Sequence, residues 1–250
     1  MRELPYNSRR IHRTVPPETP AAGEAKEEKT MAYTKKRTSN TYIPVLPLRG
    51  VLVFPGTLLH FDVNRAASIL AIDRATSQDQ RIFLVAQRDP ETEEPEREDL
   101  YEVGTIAEIK NLVKLPGDRV RVMAEGICRA RLAGLRREDF LLGRVVEMPA
   151  GETPVTVETD ALLRAVKDNF GAFCKASGRV SQETAQAILI IEDPGQLSDI
   201  IAANAFPKLE DRQAVLEIAD EVERLSKVGA MLLRETELAE VEHDVQARLH

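Results

Sequence analysis

Residues 42–56 read YIPVLPLRGVLVFPG, and the reading of this stretch decides the fold. It is almost wholly apolar, with Arg49 as its single charge. Pro44 and Pro47 each remove a backbone donor and bias the residue before them towards extended geometry, so a helix is excluded. An edge-type strand over 42–48 is expected, since prolines in sheets sit at edges. Leu48-Arg49-Gly50 then reads as a turn, Val51–Phe54 as a second short strand, and Pro55-Gly56 as its stop.

Working outward, AASILAIDRATSQ (66–78) places Ala66, Ile69, Leu70 and Ile72 at helical spacing. RIFLVAQ (81–87) is an apolar run of strand length, and RDPETEEPERED (88–99) is a charged surface loop without core residues. Residues 100–148 read as a meander. Val103, Ile106 and Ile109 mark one strand, with Thr105 between them. PGD (116–118) is a turn, and Val120 and Val122 alternate with Arg119 and Arg121 on the next strand. Gly126 suggests a bulge and Gly134 a turn, and FLLGRVVEMP ends the series at Pro149. About six short strands and one helix therefore occupy 41–150. A pseudo-barrel closes such a sheet without leaving long edges exposed.

Past AGETP the period becomes helical. One helix is expected over 155–177 with Gly178 as its C-cap, and a second after the partial capping box Ser181-Gln-Glu-Thr184, running to Ile191. A third has Asp193 as N-cap and Pro194 in its first turn. From Leu209 to His250 there is no proline and one glycine, Gly229. Val215, Ile218, Val222, Leu225, Val228 and Leu232 recur by threes and fours, and Leu238, Val241, Val245 and Leu249 resume the stripe after a polar break. One continuous helix here would be about 63 Å long at 1.5 Å per residue, too long to pack on its own body. The competing expectation is a hairpin kinked at Gly229. The expected class is thus α+β, with a β pseudo-barrel over 41–150 followed by a helical subdomain over 151–250.

Charge is uneven. Residues 1–40 carry nine bases and five acids, net +4, whereas 151–250 carry ten bases and nineteen acids, net −9. The acidic half repels phosphate backbones. Residues 1–40, with VPPETPAAGEAKEEKT at their centre, hold too little apolar surface to offset ordering entropy and read as a disordered extension. Met31 leaves the true start of the chain open. No apolar run reaches the roughly 20 residues of a spanning helix, and no secretory h-region is present.

Chemistry-bearing patterns are missing. There is no G-x-x-x-x-G-K-[ST], no G-x-S-x-G and no H-E-x-x-H. His12, His60, His243 and His250 are scattered, so no metal set is expected, and His60 between Leu59 and Phe61 reads as half-buried. Cys128 and Cys174 read as reduced core residues, and Glu91, Glu93 and Glu94 as solvated loop acids. Arg129, Arg131, Arg136 and Arg137 form the one basic cluster, read as protection of a strand edge or as a phosphate contact.

LPLRGVLVFPG, IFLVAQRDPETEEPEREDLYEVGTIAEI, VRVMAEGICRARL and IEDPGQLSDIIAANAFPKLEDRQAVLEI, in that order, resemble the N-terminal region of the ATP-dependent protease Lon, from about Tyr42 to the end of the chain. The resemblance implies a PUA-like substrate-binding pseudo-barrel, then a helical subdomain and the start of a long helix. It further implies a cytoplasmic hexamer that degrades misfolded and short-lived regulatory proteins. The ATPase and Ser–Lys proteolytic modules would lie C-terminal to this region, taking ATP and Mg with them. No catalytic residue and no cofactor is expected within these residues.

Three functions are then open. As a polypeptide-binding module, the chain would use Leu52, Val53, Phe54, Leu58 and Leu59 as contacts, against the alternative that each is core. As an assembly module or a free-standing adaptor, it would self-associate through Leu238, Val241, Val245 and Leu249. RNA binding is disfavoured by four Tyr, seven Phe and no Trp, with no basic face interleaved among them.

Overall fold

Continuous apolar runs in β1 (Tyr42–Leu48) and β3 (Arg81–Ala86), and sequences that expose alternate or terminal residues in β2 (Leu58–Val63), β4 (Val103–Leu115), β5 (Arg119–Arg137) and β6 (Leu141–Glu147), form six strands. The computed structural model describes residues 42–249 apart from 152 and 155, so the disorder expected for 1–40 lies outside the described residues. β1 pairs in parallel with β3 through Val45–Leu48, and antiparallel with β6 through Tyr42–Pro44. β3, β4, β5 and β6 continue as antiparallel neighbours, and the β5–β6 pairing closes a five-stranded ring. β2 stands outside that ring, paired only with the first part of β5. Helix α1 (Ala66–Thr76) crosses between β2 and β3 and buries Ile72 and Ala75 against Leu46, Ile82 and Leu84.

Three expectations are corrected here. Val51–Phe54 is not a strand, and the second strand starts later, at Leu58, beyond the turn at Gly56 (φ 73°). Gly134 is not a turn: β5 runs 19 residues through it, and the register against β6 shifts between Leu132 and Gly134. His60 is exposed, because β2 turns alternate side chains outward. Gly126 does mark a bulge, with Ile127 as the extra residue between the Ile106–Cys128 and Ala107–Gly126 pairs.

The helical half follows its caps. α2 (Val157–Ser177) starts at Thr156, whose hydroxyl accepts from the Thr159 amide, and stops at Gly178 in the left-handed region (φ 60°). α3 (Gln182–Leu189) and α4 (Pro194–Ala205) start at Ser181 and Asp193, each accepting from the amide three residues on. α3 ends at Leu189, two residues short of the expected Ile191.

The single helix expected over 209–250 is two, α5 (Leu209–Leu216) and α6 (Glu221–Leu249). No proline or glycine makes the break. Asp220 accepts from the Glu223 amide and so begins α6. The carbonyls left over at the end of α5 go to two buried arginines: Arg129 takes that of Leu216, and Arg224 takes those of Ile218 and Ala219. α6 passes Gly229 without a kink and lies parallel to α2. Gly229 faces Val166, and Arg179 pairs with Glu242, both at a separation of 63 residues. At 29 residues α6 is about 44 Å long, and it outruns α2, whose C-cap opposes Val241.

One core cluster joins the two halves, uniting Leu52, Phe54, Ala86 and Val103 with Phe170, Phe173, Ile201, Val228 and Leu232. Two further clusters fill the barrel.

Candidate functional site

The Val51–Phe54 segment is extended, and its side chains alternate between two cores. Leu52 and Phe54 point into the cluster shared with the helices, and Val53 points into the barrel. Two of its carbonyls are taken without a ladder: the buried Thr105 hydroxyl donates to the Val53 carbonyl at 2.5 Å, and the Thr57 hydroxyl to that of Phe54 at 2.7 Å. Gly126 permits this approach, since a Cβ there would collide with the Phe54 carbonyl oxygen. Leu52, Val53 and Phe54 are therefore core residues, Phe54 with 1% exposure, and present no surface to a partner. Leu59 is half-buried against the barrel core. Of the five expected contacts only Leu58, at 58% exposure, faces solvent.

The arginine cluster also separates. Arg131 pairs with Glu102 and Arg136 with Glu138, both in solvent, while Arg137 donates to the Pro95 carbonyl. Arg129 is no edge residue. It is buried, and its guanidinium makes a two-pronged contact with Asp199 on α4, at 2.5 and 2.9 Å. Arg224 on α6, also buried, places Nε 3.1 Å from the same carboxylate. Burial holds the Arg224 guanidinium below the usual arginine range, partly offset by Asp199. This triad locks β5, α4 and α6 together where barrel meets helices. The D-x-x-E pattern Asp220–Glu223 could have revealed the helix start, but nothing in the sequence pairs Arg129 with Asp199 across 70 positions.

Above the triad lies a cleft of about 290 Å³, walled by Pro55, Gly56, Ile127 and Met148. The bulge turns Ile127 outward to 44% exposure. Leu58 and Ile127 thus flank the Pro55-Gly56 turn with exposed apolar side chains. On α6, Leu238, Val241 and Val245 are exposed at spacings of three and four, whereas Leu225, Val228 and Leu232 on the same helix are fully buried. The Leu249 side chain lies outside the described ones.

Neither cysteine is set up as a nucleophile: burial pushes the Cys128 thiol up to about 11, and raises that of Cys174. Among the described residues no group of three or more His, Cys, Asp or Glu could hold a metal ion, and no helix is long and apolar enough to cross a membrane. The arrangement offers surfaces for contact.

Comparison with known proteins agrees with this geometry. Residues 42–234 match the model of the ATP-dependent protease La (LON) substrate-binding domain. The Lon protease of Desulforamulus reducens is 41% identical over 207 residues, covering 83% of this chain and 26% of that protein. Lon protease 1 of Bacillus subtilis is 37% identical over 219 residues, covering 88% of this chain and 28% of that protein. The chain thus spans about a quarter of the length of these relatives. Among solved structures, the N-terminal domain of a Mycobacterium avium complex Lon protease superposes with a TM-score of 0.63 at 22% identity, over 79% of this chain and 98% of that one. A Lon N-terminal domain protein from Xanthomonas campestris gives 0.56 at 16% identity, over 76% and 98%.

Proposed function

We propose, from the premise that this chain belongs to the family of the Lon protease substrate-binding domain, that it captures unfolded or degron-bearing polypeptides in the cytoplasm for an ATP-dependent protease. ATP, Mg and peptide-bond cleavage belong to modules outside these residues. The observation that carries the reading is the family match across 42–234. Ile127, exposed on the wall of a cleft at the barrel–helix junction, and Leu58, exposed just past the Pro55-Gly56 turn, supply apolar surface of the kind an unfolded client seeks.

The test is anisotropy of a labelled, reduced and alkylated protein titrated with the full chain. Saturable binding that the same protein in its native fold does not compete away is expected. Equal competition by the folded form would overturn the reading. Leu58→Ser and Ile127→Ser, both at exposed positions, are expected to weaken binding several-fold while circular dichroism stays unchanged.

A second role rests on the end of α6. Leu238, Val241 and Val245 expose a stripe that begins beside the last turn of α2 and runs past its end, and the proposal is that it meets the same stripe in neighbouring copies within a hexamer. Each buried Leu or Val would contribute about 1.5–3 kcal/mol, against several kcal/mol for association. Sedimentation is expected to show concentration-dependent self-association that the triple serine variant loses. Identical profiles for both proteins would remove the stripe from assembly.

A further inference from the structure

Beyond Leu141, where β6 begins, Val45–Leu48 of β1 pairs with β3 on one side and has no strand on the other. A groove of about 660 Å³ opens there, running to the start of α1. Its apolar floor is Val45, Pro47 and Leu141. Three arginines stand around it, and each donates only to neutral acceptors. Arg65 bonds the Pro47 and Glu93 carbonyls and the Gln87 side chain; Arg49 bonds the Thr92 carbonyl; Arg137 bonds that of Pro95. Among the described residues none of the three pairs with a carboxylate. A guanidinium has five N–H donors, so all three keep donors in hand.

The first turn of α1 adds to this. Arg65 is its N-cap residue and supplies no side-chain cap, so the amides of Ala66, Ala67 and Ser68 have no acceptor among the described residues. Ser68 is only 6% exposed, lines the groove, and its hydroxyl makes no hydrogen bond among the described residues. The hydroxyl of a largely buried serine, an uncapped helix start of an 11-residue helix and unpaired guanidiniums converge on one place. Glu93, Glu94 and Asp139 also border the groove, outside ion-pair reach of the arginines. They disfavour a phosphodiester chain but leave room for one carboxylate. Burial lowers the Arg65 pKa, and the nearby Arg49 charge lowers it further, which an incoming anion between them would relieve.

We infer that this groove is a carboxylate site, which takes an acidic group borne by a bound polypeptide between Arg49, Arg65 and the Ser68 hydroxyl, with the neighbouring apolar side chains on Val45, Pro47 and Leu141. The inference rests on the polypeptide-binding reading and adds a chemical preference to it. A client is read by grease and by one negative charge.

The experiment titrates the full chain with two pairs of labelled, leucine-rich peptides. One pair differs in a free or amidated C-terminus, the other in an internal Glu or Gln with both ends blocked. At least one charged member is expected to bind about tenfold tighter than its neutral twin, and the pair that shows it identifies the source of the carboxylate. Arg49→Glu is expected to abolish that preference, so that the charged peptide binds no tighter than its neutral twin. Arg49 is exposed and held by one 3.4 Å hydrogen bond, so the variant should fold. Ser68→Ala is expected to reduce the preference about threefold. Equal binding of charged and neutral peptides, or a preference that survives Arg49→Glu, overturns the site and leaves polypeptide binding standing. Absence of binding by all four peptides and by the alkylated protein overturns both.

Discussion

Val51–Phe54 and Leu238–Val245 are both short apolar series on a largely charged chain, and they meet opposite fates. In the first, side chains alternate between two cores, and a hydroxyl from β4 takes one of its carbonyls. In the second, the same kinds of side chain stand in solvent, Val241 at 60% exposure. The difference is geometric. Val51–Phe54 lies where barrel and helices converge, so both of its faces find neighbours. Leu238–Val245 straddles the end of α2 on the exposed face of α6, so its stripe finds none among the described residues. Apolar character therefore measures a demand for burial. Which partner meets that demand, the same chain or another, depends on what the fold places alongside.

The largest effects are expected at the buried end of this contrast. Phe54→Ala should cost about 3–5 kcal/mol in urea unfolding, through lost transfer energy and the cavity left behind. A cost below about 1 kcal/mol would mean that the segment is not core, and the contrast would collapse. Asp199→Ala belongs in the same range, about 3–5 kcal/mol, because it strands the buried Arg129 and Arg224 guanidiniums. Gly126→Ala should cost less, about 1–3 kcal/mol, by pushing a methyl into the Phe54 carbonyl. Its thermal midpoint would show whether the close approach beneath the segment is as tight as drawn. At the exposed end, Leu238→Ser, Val241→Ser and Val245→Ser should each change unfolding by no more than about 0.5 kcal/mol. A large loss there would show that the stripe already packs on its own chain.

Local patterns announced much of the fold. The prolines at 44 and 47 forbade a helix, and the caps Ser181 and Asp193 fixed two helix starts. The helix expected from 155 starts two residues later, at Val157, because the Thr156 hydroxyl caps it there. The bulge at Gly126 was also visible. The break at 217–220 was legible only in its Asp220–Glu223 cap and not in its other cause, because Arg129 arrives from β5 to take the Leu216 carbonyl. The candidate surfaces were half legible. Leu58, Leu238, Val241 and Val245 are exposed as a contact role requires, whereas Ile127 is turned outward by a bulge that periodicity alone does not aim. The Arg49–Arg65–Ser68 groove has no linear signature, since its parts come from a turn, a helix start and the edge of β1.

By itself the sequence determined what each segment could be: extended or helical, greasy or solvated, with or without the motifs of catalysis. Those properties arise from neighbours within a few residues, where sterics and hydrogen-bond chemistry act. Tertiary structure alone decided which apolar side chains were consumed inside the chain, and which charges were buried as a triad or left around a groove. Those outcomes depend on contacts between residues far apart along the chain, such as Arg129 with Asp199 across 70 positions, and no local pattern encodes them.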